Sequence, residues 1–253
     1  MTTMSRAAVH EPAWIRLASS DPQHAAAFYR AVLGWEITAT GDHLRGSLNS
    51  IPVAAIVPAG TGPSGWLLHV EVADLDAALD AVTRAGGATL APAATDADAS
   101  VAVAADRNGT RFALRESTAP QHGRSDAAGA FAWGELITDD VDASAAFYGE
   151  AFGWAVTGPE GPLGRREWQL AGRSFSGLLP RPPAMAAEIP AYWDVYFAVA
   201  DLDEAAAVAV EHGGTQLMAR TELAIGAIAV FLDPTGAVFT LVQPTDKTEE
   251  VLA

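Results

Sequence analysis

The chain has 253 residues, enough for one large domain or two of ordinary size. Half of them are hydrophobic, so a packed core can form and a disordered chain is excluded. With 31 acidic against 15 basic residues the formal charge is −16; such a surface repels phosphate backbones and argues against nucleic acid and anionic membranes as partners.

The absence of cysteine removes disulfides, thiolate nucleophiles and cysteine-ligated metal sites together. No apolar run approaches the roughly 20 residues that cross a bilayer. The segment Met1–Pro12 carries Arg6, His10 and Glu11 without an apolar centre, so it does not read as a signal peptide, and a cytoplasmic location is expected.

In chain order, a first strand ends at Ser19, and Asp21-Pro22 then supplies a helix N-cap with proline at the first helical position. Ala25, Phe28, Tyr29 and Val32 follow at helical spacing, and Gly34 stops the helix. Extended segments are expected at 35–39, 43–48 and 51–57. A strand over 67–73 leads to Asp74, which opens a helix bearing Ala78, Leu79 and Val82 and closing at Gly86-Gly87. Segments 88–91, 100–105 and 110–116 are again extended, with 92–98 (PAATDAD) as a loop. The unit is a strand, a helix and three strands.

The second half repeats the first. Residues 13–35 align without a gap on 132–154 at an offset of 119, with 10 of 23 positions identical. Residues 66–87 align on 193–214 at an offset of 127, which the blocks beginning at Asp106 and Asp233 keep. The second copy has therefore gained eight residues, for which the loop Arg181-Pro182-Pro183-Ala184 is a natural place. The unit is used four times, an α+β arrangement of four βαβββ units. The expected division is residues 1–119, a linker at 120–130 within STAPQHGRSDAAGA, and residues 131–253.

This order resembles the vicinal-oxygen-chelate superfamily, the glyoxalase, bleomycin-resistance and dioxygenase type, in its two-domain tandem form. Asp21, Phe28, Tyr29, Gly34 and Trp35 carry the resemblance, with Asp140, Phe147, Tyr148, Gly153 and Trp154 and the turns Asp106–Gly109 and Asp233–Gly236. It implies two units paired in a U-shaped mixed sheet whose concave cleft holds a small-molecule ligand. The superfamily spans lyases, isomerases, ring-cleaving dioxygenases and drug-sequestering proteins, so it does not imply one reaction.

Metal-dependent members set His, Gln or Glu on the first strand of each unit and Glu on the last. Carried onto this chain, those positions fall on Trp14 and Trp133, Leu67 and Asp194, and Ala113 and Thr240. A divalent ion needs several converging N or O ligands, and five of these six cannot ligate well. No cofactor is expected, although a site shifted by two residues to His69 and Glu71, with His43, leaves a divalent metal open.

Strand alternation fills the concave faces instead. In the first copy Trp14 shares its face with Arg16, Leu67 with His69 and Glu71, and Ala113 with Arg111 and Arg115. In the second, Trp133 goes with Glu135, Asp194 with Tyr196, and Thr240 with Val238 and Val242. Trp14, Arg16, Arg111, Arg115, Trp133 and Asp194 are candidate ligand contacts; Glu135 with Tyr196, or His69 with Glu71, are candidate acid–base pairs. Structural readings stand beside these: the tryptophans fill the concavity, His69 and Glu71 join an arginine ion pair, and Glu135 bonds Tyr196, Arg166 or Arg173. The stripe Phe28, Tyr29, Phe147 and Tyr148 reads as helix packing.

The expected function is binding of a small aromatic metabolite without the usual metal centre. A metal-independent isomerase, lyase or cyclase is the alternative, and a metal-dependent lyase or dioxygenase with a shifted site the third. Since paired units complete a cleft within each copy, a monomer or loose homodimer is expected.

Overall fold

Each of the four helices opens on an aspartate whose carboxylate accepts a backbone N–H of the first turn: Asp21 from His24, Asp74 from Ala77, Asp140 from Ala143 and Asp201 from Glu204. The computed structural model describes residues 10–41, 43–96, 99–117, 125–183, 185–186, 189–223 and 225–245. The expectations for Met1–Val9, and for the linker as far as residue 124, lie outside them.

The first unit is β1 (Pro12–Ser19), α1 (Pro22–Leu33), β2 (Glu36–Thr40), β3 (His43–Leu48) and β4 (Ile51–Pro58). The second is β5 (Gly65–Glu71), α2 (Leu75–Arg84), β6 (Ala88–Asp96), β7 (Ala99–Ala105) and β8 (Arg111–Ser117). The third is β9 (Phe131–Thr138), α3 (Val141–Phe152), β10 (Ala155–Val156), β11 (Arg166–Leu170) and β12 (Arg173–Pro180). The fourth is β13 (Tyr192–Ala198), α4 (Leu202–Glu211), β14 (Thr215–Leu223), β15 (Gly226–Leu232) and β16 (Val238–Pro244). Two units share each eight-stranded mixed sheet, in the orders β2-β3-β4-β1-β5-β8-β7-β6 and β10-β11-β12-β9-β13-β16-β15-β14. Within a sheet the units meet at an antiparallel pair, β1 with β5 and β9 with β13.

Two expectations change. Residues 92–96, read as a loop, belong to β6. That strand closes one edge of its sheet and its register skips between Ala91 and Ala94, which accommodates Pro92 where its missing N–H costs no ladder bond. The eight extra residues are also divided. Gly177 faces Glu135 as Ala55 faces Arg16, an offset of 122. Three of them therefore lie in the β10–β11 connection, and the remainder between β12 and β13.

One large core joins the copies. Ile15, Leu17, Leu68, Val70, Phe112 and Leu114 of the first sheet lie in one buried cluster with Leu136, Val195, Phe197, Phe239 and Leu241 of the second and with all four helices. Helix α1 packs on α4, α2 on α3, and the central strands β5 and β13 touch. This approach requires Gly134 on β9, where a Cβ would come within 2.6 Å of Leu68 Cδ1. The alternate residues of these strands form two smaller clusters away from the joint, where the two clefts are expected.

The packing tyrosines also tie the copies together. Tyr29 is fully buried, stacked on Trp35 and edged by Phe197 and Phe239 of the other domain. Its hydroxyl donates to Asp233 Oδ2 at 3.1 Å and accepts from Trp66 Nε1 at 3.0 Å. Asp233 Oδ1 meanwhile holds the turn N–H groups of Thr235 and Ala237. The mirror arrangement stacks Tyr148 on Trp154, gives its hydroxyl the Trp193 N–H and sets it beside Asp106. Tyr29→Phe strands both the Trp66 N–H and an Asp233 oxygen, so stability should fall by about 1–3 kcal/mol. A thermal melt would register this as about 2–4 °C per kcal/mol for a chain of this size; an unchanged Tm would deny the joint this role.

Candidate functional site

In the N-terminal cleft the strand register sets Trp14, His69 and Ala113 in one row, the first two across the β1/β5 pair and the last two across β5/β8. The residue in line with Trp14 and Ala113 is thus His69, two places from Leu67. His69 is fully buried, and neither ring nitrogen has a hydrogen-bond partner. Burial, then Arg16 and Arg115, hold its pKa well below the imidazole range, so it is neutral at ordinary pH. The Arg115 guanidinium, itself buried, lies 5.3 Å over the Trp14 ring. Ala99, Val101, Ala113 and the half-buried Leu67 supply apolar walls.

Three expected members of this site stand differently. Arg111 is exposed at the first position of β8, and of the three arginines only Arg16 and Arg115 act on His69. Glu71 is partly buried and accepts the Ser117 N–H through Oε1; it has no part in shifting His69, so the structure does not join them as an acid–base couple. His43 opens β3, half-buried.

The C-terminal cleft repeats the row with other chemistry: Trp133, Tyr196 and Thr240. Tyr196 takes the place of His69, Asp194 of Leu67 and Glu135 of Arg16. Glu135 and Asp194 are direct cross-strand partners, 2% and 3% exposed, which is costly for two carboxylates unless each is compensated. For Glu135 the compensation is complete: Tyr196 donates its hydroxyl to Oε2 at 2.6 Å, and Arg165 donates Nε–H to Oε1 at 2.6 Å. The same guanidinium lies 5.5 Å over the Trp133 ring. Gly177 makes room, since a Cβ there would stand 2.3 Å from Glu135 Oε1.

Asp194 is less well served. Thr240 donates to Oδ2 at 2.7 Å, while Oδ1 is buried without a partner. Burial, opposed by the Thr240 hydrogen bond and reinforced by Glu135, pushes its pKa up to about 7. Tyr196 is raised too, by burial first and then by Glu135, which makes it a poor acid. Burial alone would lower Arg165, but Glu135 outweighs it and keeps the guanidinium firmly charged. Ile228, Ala198 and Val242 line the rest.

Arg165 was not foreseen. Of the expected partners of Glu135, Tyr196 bonds it, whereas Arg166 and Arg173 lie 3.7 Å from Asp142 and 2.7 Å from Glu11. Among the described residues no three His, Cys, Asp or Glu side chains converge as a metal would require, and the row positions Trp14, Ala113, Trp133 and Thr240 offer no suitable donors. His69 and Asp194, one in each cleft, do not fit a divalent ion by themselves.

The comparisons agree with this architecture. A family model described as "Glyoxalase-like domain" matches the chain twice, at residues 14–115 and 135–242, and the chain belongs to that family. It is 32% identical over 253 residues to the Mycobacterium tuberculosis protein named "Putative glyoxylase CFP32", covering 93% of this chain and 95% of that one. It is 29% identical over 265 residues to the "Anthracycline biosynthesis protein DauV" of Streptomyces sp. (strain C5), covering 95% of each. Among solved structures, the Mn(II)-bound glyoxalase from Novosphingobium aromaticivorans superposes with TM-score 0.68 at 16% identity, over 94% of this chain and 83% of that one. The 2,3-dioxygenase LapB from Pseudomonas sp. KL28 superposes at 0.67 and 13% identity, over 97% and 96%. At those identities the structures speak for the fold alone. No helix among the described residues is long and apolar enough to cross a membrane.

Proposed function

We propose that the chain binds a small aromatic metabolite carrying an anionic oxygen, in the N-terminal cleft and without a divalent ion. The observation that carries this is His69. A fully buried imidazole with both nitrogens unpartnered is rare in a finished core, where buried polar groups find partners. Arg16 and Arg115 both act on it electrostatically and suit an anion, and its cross-strand neighbour Trp14 offers a ring. The donor set supports the metal-free reading, because the positions that hold ions in metal-dependent members carry Trp, Leu and Ala here. The relatives' names, a glyoxylase and an anthracycline biosynthesis protein, are compatible with a small-molecule ligand.

Protein dialysed against a chelator should retain well under one divalent ion per chain by mass spectrometry. It should still bind members of a panel of aromatic acids, followed by tryptophan quenching. His69→Phe should weaken that binding about tenfold or more, the loss of roughly one charge-assisted hydrogen bond. One tightly retained ion per chain would restore a metal-dependent lyase or dioxygenase, and unchanged binding in His69→Phe would move the ligand elsewhere.

Acid–base catalysis without a metal is a second reading, and one observation favours it in altered form. Both oxygens of Glu135 are engaged and Tyr196 is a poor acid, whereas Asp194 has an open oxygen and a pKa of about 7. In this reading Asp194→Asn abolishes turnover of a bound metabolite, whereas a binding protein shows no turnover to lose.

A further inference from the structure

The C-terminal cleft has a chemistry of its own. Its carboxylate Glu135 is saturated by Tyr196 and Arg165, and one oxygen of Asp194 by Thr240. Two buried polar atoms flanking Glu135 remain without partners: Nη2 of Arg165, a donor, and Oδ1 of Asp194, an acceptor. Neither belongs to the site assigned to the aromatic acid, and each is left incomplete by the protein's own groups.

The two demands are complementary. An anionic ligand would meet Glu135 and Asp194, and a cationic group that only donates would set its charge beside Arg165 and bring no acceptor for the open Nη2. A neutral group that accepts through one atom and donates through another meets no such opposition. Trp133, Ile228 and Val242 leave an apolar surround fit for a ring. We infer that the C-terminal cleft is a second ligand site, for an aromatic carboxamide whose carbonyl oxygen accepts from Arg165 and whose N–H donates to Asp194. The two copies of the duplicated domain thus take ligands of different charge: an acid in the cleft of Arg16, His69 and Arg115, and an amide in that of Glu135, Arg165 and Asp194.

Three probes of one shape and three charges test this: benzamide, benzoate and benzamidine, titrated into the full-length wild-type protein at pH 7.5. The tryptophan indole N–H signals are followed by nuclear magnetic resonance, with that of Trp133 assigned from Trp133→Phe. Benzamide should move the Trp133 signal and saturate, binding at least tenfold more tightly there than either charged probe. Asp194→Leu should lower benzamide affinity at least tenfold. Equal affinities for the three probes, a preference for either charged probe, or no saturable shift of Trp133 with benzamide up to about 10 mM, a weak-binding limit, would overturn the inference. The wild-type comparison stands even if Asp194→Leu fails to fold. It is independent of the N-terminal cleft, since benzoate shifting Trp14 while benzamide leaves Trp133 unmoved would leave the aromatic-acid site intact and refute the amide site.

Discussion

Arg165→Met should destabilise the protein by about 3–5 kcal/mol at pH 7, the usual consequence of removing one partner from a buried ion pair. Glu135 is 2% exposed and, among the described residues, would keep the Tyr196 hydroxyl as its remaining donor, with the cross-strand Asp194 adding repulsion when ionised. The cost comes from the stranded charge and not from the pair's net attraction, so it should be largely recovered in Arg165→Met with Glu135→Leu, where neither charge remains. Urea unfolding of the wild type, both single variants and the double variant would measure the cycle. A loss below about 1 kcal/mol, the value of an exposed pair, would mean that water reaches Glu135 and that this cleft is open at its floor.

The second large effect is pH-dependent. Asp194 has a folded-state pKa of about 7, and an unfolded aspartate titrates near 3.9. Between those values the folded protein binds a proton that the unfolded chain has lost, so stability declines as the pH rises from about 4 to about 7. Three pKa units correspond to roughly 4 kcal/mol. Asp194→Asn cannot ionise and retains an acceptor for Thr240. It should match the wild type near pH 4 and exceed it by a few kcal/mol at pH 8, as read from urea midpoints. Parallel profiles for the two proteins would show that Asp194 is ionised at little cost.

His69 gives the opposite slope. Its folded pKa is depressed by burial and by Arg16 and Arg115. Below about 6.5 the unfolded chain binds a proton that the folded protein refuses, so stability falls as the pH drops through that value. The clefts therefore oppose each other, one resisting a proton and the other holding one, although duplication began them alike. On the paired central strands the divergence lies in the side chains: His69 against Tyr196, Arg16 against Glu135, Leu67 against Asp194, each at the same register position.

Much of the candidate site was legible because a strand has a period of two. Once the strands were placed, alternation alone set Trp14, Arg16 and His69, and Trp133, Glu135, Asp194 and Tyr196, on the faces away from the core. Arg165 was not legible for the same reason in reverse. It precedes β11 in a connection lengthened by the insertion, and Arg166 is its neighbour; a shift of one residue exchanges the faces. Alternation likewise placed Arg111 on the cleft face of its strand but could not tell that this strand end is exposed.

The amino-acid sequence alone sufficed for the duplication, the four strand–helix–three-strand units and the aspartate caps. All of these are local: caps, turns and periodicities act within a few residues, and a repeat is visible wherever it falls. Tertiary structure decided what depends on distant partners. Tyr29 meets Asp233 across 204 residues, Arg165 meets Glu135 across 30, and His69 meets none. Whether a buried polar atom is satisfied depends on what the folded chain brings within about 3 Å of it, and no spacing along the chain encodes that distance.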